Sequence, residues 1–332
     1  MVVMTLMRTV EQLAEGDTAE FPVASASELE LVRLWCLKTG NTLISTLMVE
    51  QDSGHVTVGR GRPRDPATMI PADRMPGARL WLYTNFHCNL ACDYCCVASS
   101  PKTDPRLLGS DTIQALVDEA AEWGVRELYL TGGEPFLLPD IDAIVRSCVD
   151  RLPTTLLTNG MLFRGVGLRK LQAMPREGFA LQISVDSPTA EIHDSHRGAG
   201  SWKRALAGIR VALDEGFTVR VAATISAHDD PALDELHALF DGLGIPRADQ
   251  VIRPIAHQGV SDEGIKFSRE SLIPEVTVTA EGIYWHPVAA LDEDALVSRQ
   301  ILPLAPSLDK VNDLFAQQWS SMTAAAAMFA CA

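Results

Sequence analysis

The sequence contains no uninterrupted apolar run of the roughly 18 residues that a membrane-spanning helix needs. A secretion signal is not expected either, because Arg8 is followed by Glu11 and Glu15 without a small-residue cleavage site. These two absences predict a protein without a membrane partner. They favour a cytoplasmic location.

Basic residues are scarce relative to acidic ones, with 28 Lys and Arg against 43 Asp and Glu and a formal net charge of −15. Such a surface repels a phosphate backbone unless a local basic face exists, so no nucleic-acid partner is expected. Apolar residues, in contrast, make up 47% of the 332 residues. That is enough for one large domain, or for one domain plus a small appendage, and it excludes a disordered chain or a small disulfide scaffold.

Short apolar strands alternate with amphipathic helices from about residue 78 to residue 256, which predicts repeated βα units around a parallel sheet. We predict six strands, at residues 78–86, 127–131, 154–158, 179–185, 218–225 and 249–255. The helices between them are predicted to begin at Ser110, Ser201 and Pro231 and to end at Gly124, Gly216 and Gly242. Six units are too few for a closed eight-fold barrel. The predicted fold class is therefore α/β, with a partial (β/α)6 TIM-like barrel.

Smaller regions flank this barrel. Residues 18–60 are predicted to form a strand, a helix and a hairpin that turns at Asp52-Ser53-Gly54, which together make a small α+β unit. The proline-rich stretch 59–77 is the predicted linker. A second hairpin is predicted around Glu281-Gly282 in a short C-terminal extension. The predicted division of the chain is residues 1–70, 78–260 and 261–332.

Three of the seven cysteines follow the first predicted barrel strand as Cys88-x3-Cys92-x2-Cys95. Three thiolates in one short loop can hold a soft metal centre, and their crowding indicates a metal site in a reducing compartment rather than disulfides. Zinc with Cys96 or a histidine as fourth ligand is one alternative. Unrelated surface cysteines are another.

The cysteine spacing, with Tyr94 directly before the last cysteine, resembles the signature of radical S-adenosylmethionine (radical SAM) enzymes. Later segments resemble that family's motifs in the same order: Thr131-Gly132-Gly133-Glu134-Pro135, Thr158-Asn159-Gly160, Ser184-Val185-Asp186-Ser187, His193-Asp194 with Arg197, and Arg253-Pro254-Ile255 with Gly259. The hairpin at residues 277–287 resembles that of the branch with a SPASM or twitch extension. It has no cysteine to hold an auxiliary cluster, so one cluster per chain is predicted.

The resemblance implies one [4Fe-4S] cluster and S-adenosylmethionine as cofactors, with Cys88, Cys92 and Cys95 as ligands that leave one iron open. It implies that Gly132, Gly133 and Glu134 hold the methionine amine. The other contacts that it implies are Thr158 and Ser184 near the ribose or carboxylate, Asp186 in the same layer, the Tyr94 backbone at the adenine, and Arg197 paired with the methionine carboxylate.

In this family an electron from the cluster cleaves S-adenosylmethionine to a 5′-deoxyadenosyl radical, which abstracts hydrogen from the substrate. The resemblance implies a small-molecule or peptide substrate and a one-electron donor such as flavodoxin or ferredoxin. Radical chemistry requires no acid–base pair, so neither catalytic residues nor a reaction type is predicted. Sulfur insertion is one alternative, and a non-catalytic iron–sulfur or zinc protein that binds a partner is another.

The two flanking regions carry weaker expectations. The N-terminal unit resembles part of TusA-type sulfur-carrier domains but lacks their Cys-Pro-x-Pro segment, so a packing or partner-binding role is expected rather than sulfur transfer. The C-terminal extension is predicted to cap the barrel and to shape the substrate pocket with Trp285 and His286. Cys36 and Cys148 are predicted to be small buried apolar residues.

Overall fold

The computed structural model describes residues 6, 9–10, 12–48, 53–61, 70–226 and 232–328. The chain divides into two compact units, one made of Met1–Ala72 and Asp313–Ala332 and the other of Asp73–Asn312. The three-part division given above stays a prediction. Among the described residues, no helix is both long enough and apolar enough to cross a membrane.

The larger unit is built on a nine-stranded sheet in which six consecutive strands run parallel in chain order, as predicted. These strands are β4 (Arg79–Tyr83), β5 (Glu127–Thr131), β6 (Thr154–Thr158), β7 (Phe179–Ser184), β8 (Thr218–Ile225) and β9 (Gln250–Pro254). The inward and outward faces of β4 to β8 are both largely covered, which explains why these strands are mostly apolar, whereas β9 at the edge is largely exposed. The prediction of a partial α/β barrel is confirmed.

Helices connect the parallel strands and cover the outer face of the sheet. They are α2 (Ser110–Trp123), α3 (Ile141–Val149), α4 (Val166–Ala173), α5 (Ala190–Arg197), α6 (Ser201–Asp214) and α7 (Leu233–Gly242). The buried face of α2 is the predicted one, formed by Ile113, Leu116, Val117 and Ala120. The helix begins at Ser110, as predicted, but Ser110 does not cap it. Gly109 is the N-cap residue, and no side chain bonds to the exposed amides there.

The C-terminal part of this unit adds strands to the sheet. β10 (Thr277–Thr279) and β11 (Gly282–Tyr284) form the predicted hairpin, and β12 (Leu296–Ser298) pairs with β11. The sequence did not reveal where the hairpin lies, because β10 pairs in parallel with β4, the first barrel strand. The hairpin therefore extends the sheet on the side opposite β9.

The smaller unit contains β1 (Thr18–Val23), α1 (Ala26–Thr39), β2 (Thr42–Met48) and β3 (Gly54–Gly59). Its antiparallel sheet has the order β1-β3-β2, and its core includes Phe21, Trp35, Cys36 and Val56. The final helix, α8, is Ala305–Met328. The predicted turn residue Asp52, the middle of the predicted linker and the predicted helix start Pro231 lie outside the described residues.

Candidate active site

The carboxyl ends of the parallel strands surround a cavity of about 360 Å³, a volume within the roughly 300–1,000 Å³ of small-molecule sites. Cys88, Cys92 and Cys95 line this cavity together with Cys96. The same wall holds most of the other predicted site residues, namely Tyr94, Gly132, Gly133, Thr158, Ser184 and Arg197. Glu134 and Asp186 lie behind it and do not line the cavity.

The cysteine loop is irregular and makes hydrogen bonds to its own sulfurs. The amide of Leu90 donates to Sγ of Cys88 over 3.4 Å, and the amide of Ser99 donates to Sγ of Cys95 over 3.3 Å. Burial raises the pKa of Cys88 to about 12 and that of Cys92 to about 11. These thiols are therefore protonated at neutral pH, and a metal that binds them must displace protons.

Among the described residues, no three His, Cys, Asp or Glu side chains converge closely enough to hold a single metal ion. The zinc alternative has no such ligand set in the part of the chain that the structure describes. A [4Fe-4S] cluster makes a different demand, because each of its irons takes its own thiolate and the sulfurs need not meet at one point. Three thiols around one cavity fit that demand.

Two adjacent glycines allow the chain that leaves β4 to cross the end of β5 at very short range. The amide of Gly133 donates to the carbonyl of Asn85 over 2.9 Å, and the amide of Glu134 donates to that of His87 over 3.0 Å. A Cβ atom on Gly132 would lie 2.5 Å from the Asn85 carbonyl oxygen, and one on Gly133 would lie 2.1 Å from that of His87. Neither position therefore has room for a side chain.

Glu134 is fully buried, and its carboxylate binds donors of its own chain. It accepts hydrogen bonds from the amides of Phe136 (3.0 Å) and Asn159 (2.8 Å) and from the Thr158 hydroxyl (2.8 Å). Burial raises the pKa of Glu134, and these donors oppose the rise. The Asn159 side chain then donates to Asn89, inside the cysteine loop, over 2.9 Å. The carboxylate thus joins β5, β6 and the cysteine loop.

Asp186 and Arg197 form a buried ion pair behind the cysteine loop. The Nε and Nη2 atoms of Arg197 lie 2.5 and 3.2 Å from the two carboxylate oxygens, and the Tyr94 hydroxyl donates to the same group over 2.5 Å. Burial raises the pKa of Asp186, but the charge and hydrogen bonds of Arg197 outweigh it and hold that pKa below its usual value. The guanidinium of Arg197 is therefore already engaged by a carboxylate of its own chain.

The structure adds residues that sequence reasoning did not assign. Asn85, Asn89 and Asn159 form the hydrogen bonds that support the cysteine loop, and asparagines in turns give no specific signal of such a role. Arg253 lines the cavity, and within the described residues no carboxylate lies within 4 Å of its guanidinium. It was noted in the sequence as part of a motif but received no role.

His286 and Trp285 were both predicted to shape the pocket, but only His286 lines the cavity. His286 lines the cavity, and its Nδ1 accepts a hydrogen bond from the amide of Val288 over 3.2 Å. Burial lowers the pKa of His286 to about 4, so the ring is neutral. Trp285 does not line the cavity. It is 0% exposed, and its Nε1 donates to the Leu272 carbonyl, which makes it a core residue.

Comparison with known proteins agrees with this geometry. A family model described as the radical SAM superfamily matches residues 82–241. The AdoMet-dependent heme synthase of Methanosarcina barkeri is 34% identical over 175 residues, which are 52% of this chain and 48% of that protein. The mycofactocin maturase MftC of Mycobacterium ulcerans is 31% identical over 171 residues, 51% of this chain and 46% of its own. Residues 82–241 of this chain are therefore similar to the radical SAM superfamily.

The fold comparison extends over more of the chain than the sequence comparison. The structure of native anSMEcpe with bound AdoMet superposes with a TM-score of 0.56 at 13% identity, over 71% of this chain and 82% of that chain. The chain spans about half the length of the curated relatives it matches. The cofactors of the superfamily are a [4Fe-4S] cluster and S-adenosylmethionine, and the cavity with its three thiols fits both.

Replacement of Gly133 by alanine should disrupt the candidate active site through the backbone. The new Cβ would lie 2.1 Å from the His87 carbonyl, so the segment that leads into Cys88 must move. We expect a loss of bound iron and a fall of about 1–3 kcal/mol in the free energy of unfolding, measured by iron analysis and urea titration.

Gly242→Ala is the matched control, because nothing lies within 4 Å of the Cβ position there. It should change the free energy of unfolding by less than about 0.5 kcal/mol and leave the iron content unchanged. Unchanged iron content in Gly133→Ala would contradict the role given to this crossing.

Glu134→Ala should destabilise the protein, because it leaves the buried donors of Thr158 and Asn159 without an acceptor. The expected loss in unfolding free energy is about 2 kcal/mol or more. Glu134→Gln keeps one carbonyl acceptor and should lose less. The exposed Glu122→Ala serves as the control and should be neutral. If Glu134→Ala unfolded at the same urea concentration as the wild type, the carboxylate would have no structural role.

Proposed function

We propose that this chain is a radical SAM enzyme that reductively cleaves S-adenosylmethionine and uses the resulting radical to take hydrogen from a small-molecule or peptide substrate. One observation carries the proposal. Three cysteines and two glycines that have no room for a side chain line the same cavity, at the carboxyl ends of the parallel strands. When bound, the cluster would supply the electron that cleaves the sulfonium bond.

The chain's own residues have distinct tasks in this proposal. Cys88, Cys92 and Cys95 would hold the cluster, while the amides of Leu90 and Ser99 donate to two of their sulfurs. We propose that the glycine turn, Tyr94, Thr158 and Ser184 form the walls of the cofactor site. Glu134 and Asp186 are assigned as positioning residues, since their carboxylates bind only groups of this chain in the contacts described above.

Arg197 is not proposed as the partner of the methionine carboxylate, because Asp186 already engages it. Arg253 is the better candidate for an acidic group of the cofactor or the substrate, since it lines the cavity without a carboxylate within 4 Å in the described part of the chain. The nearby His286 is neutral and accepts through Nδ1, so its Nε2 carries the proton. Both side chains therefore offer donors, which suit a carboxylate or a peptide carbonyl.

A peptide substrate has some support from relatives. Solved structures with this fold include anSMEcpe with bound AdoMet and the Cp18Cys peptide, with a TM-score of 0.55 and 13% identity. We propose a flavodoxin-like or ferredoxin-like protein as the electron donor and the cytoplasm as the location. Sulfur transfer is not favoured, because Cys36 in the N-terminal unit is 3% exposed and burial raises its pKa to about 11.

The proposal is tested by the release of 5′-deoxyadenosine from anaerobically reconstituted protein given dithionite and S-adenosylmethionine. The wild type should release it even without substrate. Alanine at Cys88, Cys92 or Cys95 should abolish both the visible cluster absorption and this product. Cys148→Ala, in the buried face of α3, is the control and should keep both. A fully loaded wild-type protein that releases no 5′-deoxyadenosine would favour the non-catalytic alternative.

The number of clusters is a separate prediction. The loop supplies thiolates for one cluster. Of the other described cysteines, Cys96 directly follows the ligand Cys95, and Cys36 and Cys148 are buried in helices. Reconstituted protein should hold about four irons and about four sulfides per chain. An iron content near eight would contradict a single cluster.

A further inference from the structure

The hydroxyl group of Ser99 is a buried polar group with an unmet hydrogen-bonding requirement. Ser99 is 6% exposed, and its Oγ has no hydrogen-bond partner among the described residues. A buried hydroxyl without a partner is costly, and most such groups in folded proteins have one. An orphaned hydroxyl therefore indicates a group that is bound beside it when the protein is complete.

The surroundings of Ser99 indicate what that group is. Ser99 lines the same cavity as the cysteine thiols, and its own amide donates to Sγ of Cys95 over 3.3 Å. The next carbonyl, that of Ser100, accepts from the amide of Cys88 over 3.1 Å. Ser99 and Ser100 are thus both hydrogen-bonded to the cysteine loop. The residue that carries the unpartnered hydroxyl, Ser99, already donates its amide to the sulfur of a candidate cluster ligand, Cys95.

We propose that the Ser99 hydroxyl donates a hydrogen bond to a sulfur of the bound cluster and thereby sets how readily the cluster accepts its electron. The inference rests on the proposed function, since it requires the cluster. No covalent bond changes. Hydrogen bonds to the sulfurs are one of the means by which proteins adjust cluster potentials, because they stabilise the more negative, reduced state more than the oxidised state. The proposed role of Ser99 is toward the cluster, and no contact with the substrate is proposed.

The neighbouring Ser100 provides the comparison. Its hydroxyl is already bonded to Thr103 over 2.9 Å and accepts from the amide of Lys102 over 3.2 Å. Two hydroxyls therefore stand side by side in the chain, one satisfied by local protein groups and one without a partner among the described residues. Only removal of the second should affect the cluster.

The test is a reductive titration of the reconstituted full chain without S-adenosylmethionine, followed by electron paramagnetic resonance of the reduced cluster. Ser99→Ala should reduce at a more negative potential, with an equilibrium constant for reduction roughly two- to tenfold smaller; tenfold corresponds to 59 mV for one electron. Ser99→Thr, which keeps a hydroxyl, should restore the wild-type potential. Ser100→Ala should not shift it. All variants should keep about four irons per chain.

A second readout separates the hydroxyl from a buried water. Exchange into deuterium oxide should remove the couplings of the amides of Leu90 and Ser99 in both proteins, and in the wild type it should remove one further proton coupling that Ser99→Ala lacks. Equal potentials in wild type and Ser99→Ala, or the same set of exchangeable couplings in both proteins, would overturn the inference. A wild-type protein that binds no cluster would instead overturn the proposed function, so the two failures are distinguishable.

Discussion

The close crossing of residues 85–87 over the end of β5 is the contact on which the rest of the site depends. It consists of two main-chain hydrogen bonds, from Gly133 to Asn85 and from Glu134 to His87, and it leaves no space for a Cβ atom at the glycines. These hydrogen bonds fix the path of the chain after β4, and they therefore fix the position of Cys88, the first cysteine of the loop. The glycine-glycine-glutamate segment thus acts on the cysteine loop through the backbone before any cofactor is considered.

The far side of the loop is held by a different kind of interaction. Tyr94 donates to the buried Asp186, and the amide of Val260 donates to the Cys95 carbonyl over 3.2 Å beside Gly259, whose φ of 68° suits glycine. Removal of one partner from a buried ion pair such as Asp186 and Arg197 typically costs about 3–5 kcal/mol, because a charge is left uncompensated. The pair of Asp186 and Arg197 therefore favours a single arrangement of the side chains around it, including Tyr94. A fixed arrangement of this kind holds the loop so that its three cysteines keep their relative positions.

The sequence predicted the barrel well because the strands from β4 to β8 are largely buried on both faces and are bounded by turn residues. Residues 127–131, 154–158 and 218–225 are strands with the predicted limits. The motif residues could be found from the sequence because three cysteines in one short loop, followed by a Gly-Gly-Glu segment after the next strand, are a rare combination. Their partners could not, since a hydrogen bond such as that from Asn159 to Asn89 joins residues 70 apart, and the choice of Asp186 as the partner of Arg197 depends on the packing of β7, α5 and β8.

The C-terminal hairpin shows why a motif without its cysteines can still serve the site. β10 pairs with β4, and the carboxylate of Glu275, just before β10, accepts from Nε1 of Trp81 over 2.6 Å. The Pro287 carbonyl accepts from the hydroxyl of Tyr83, the last residue of β4, over 2.9 Å. Both contacts stabilise β4, the strand that leads into the cysteine loop. One wall of the same cavity is formed by His286, Pro287 and Val288. The extension therefore acts as an additional part of the sheet, which holds β4 in register and brings the neutral His286 to the cavity.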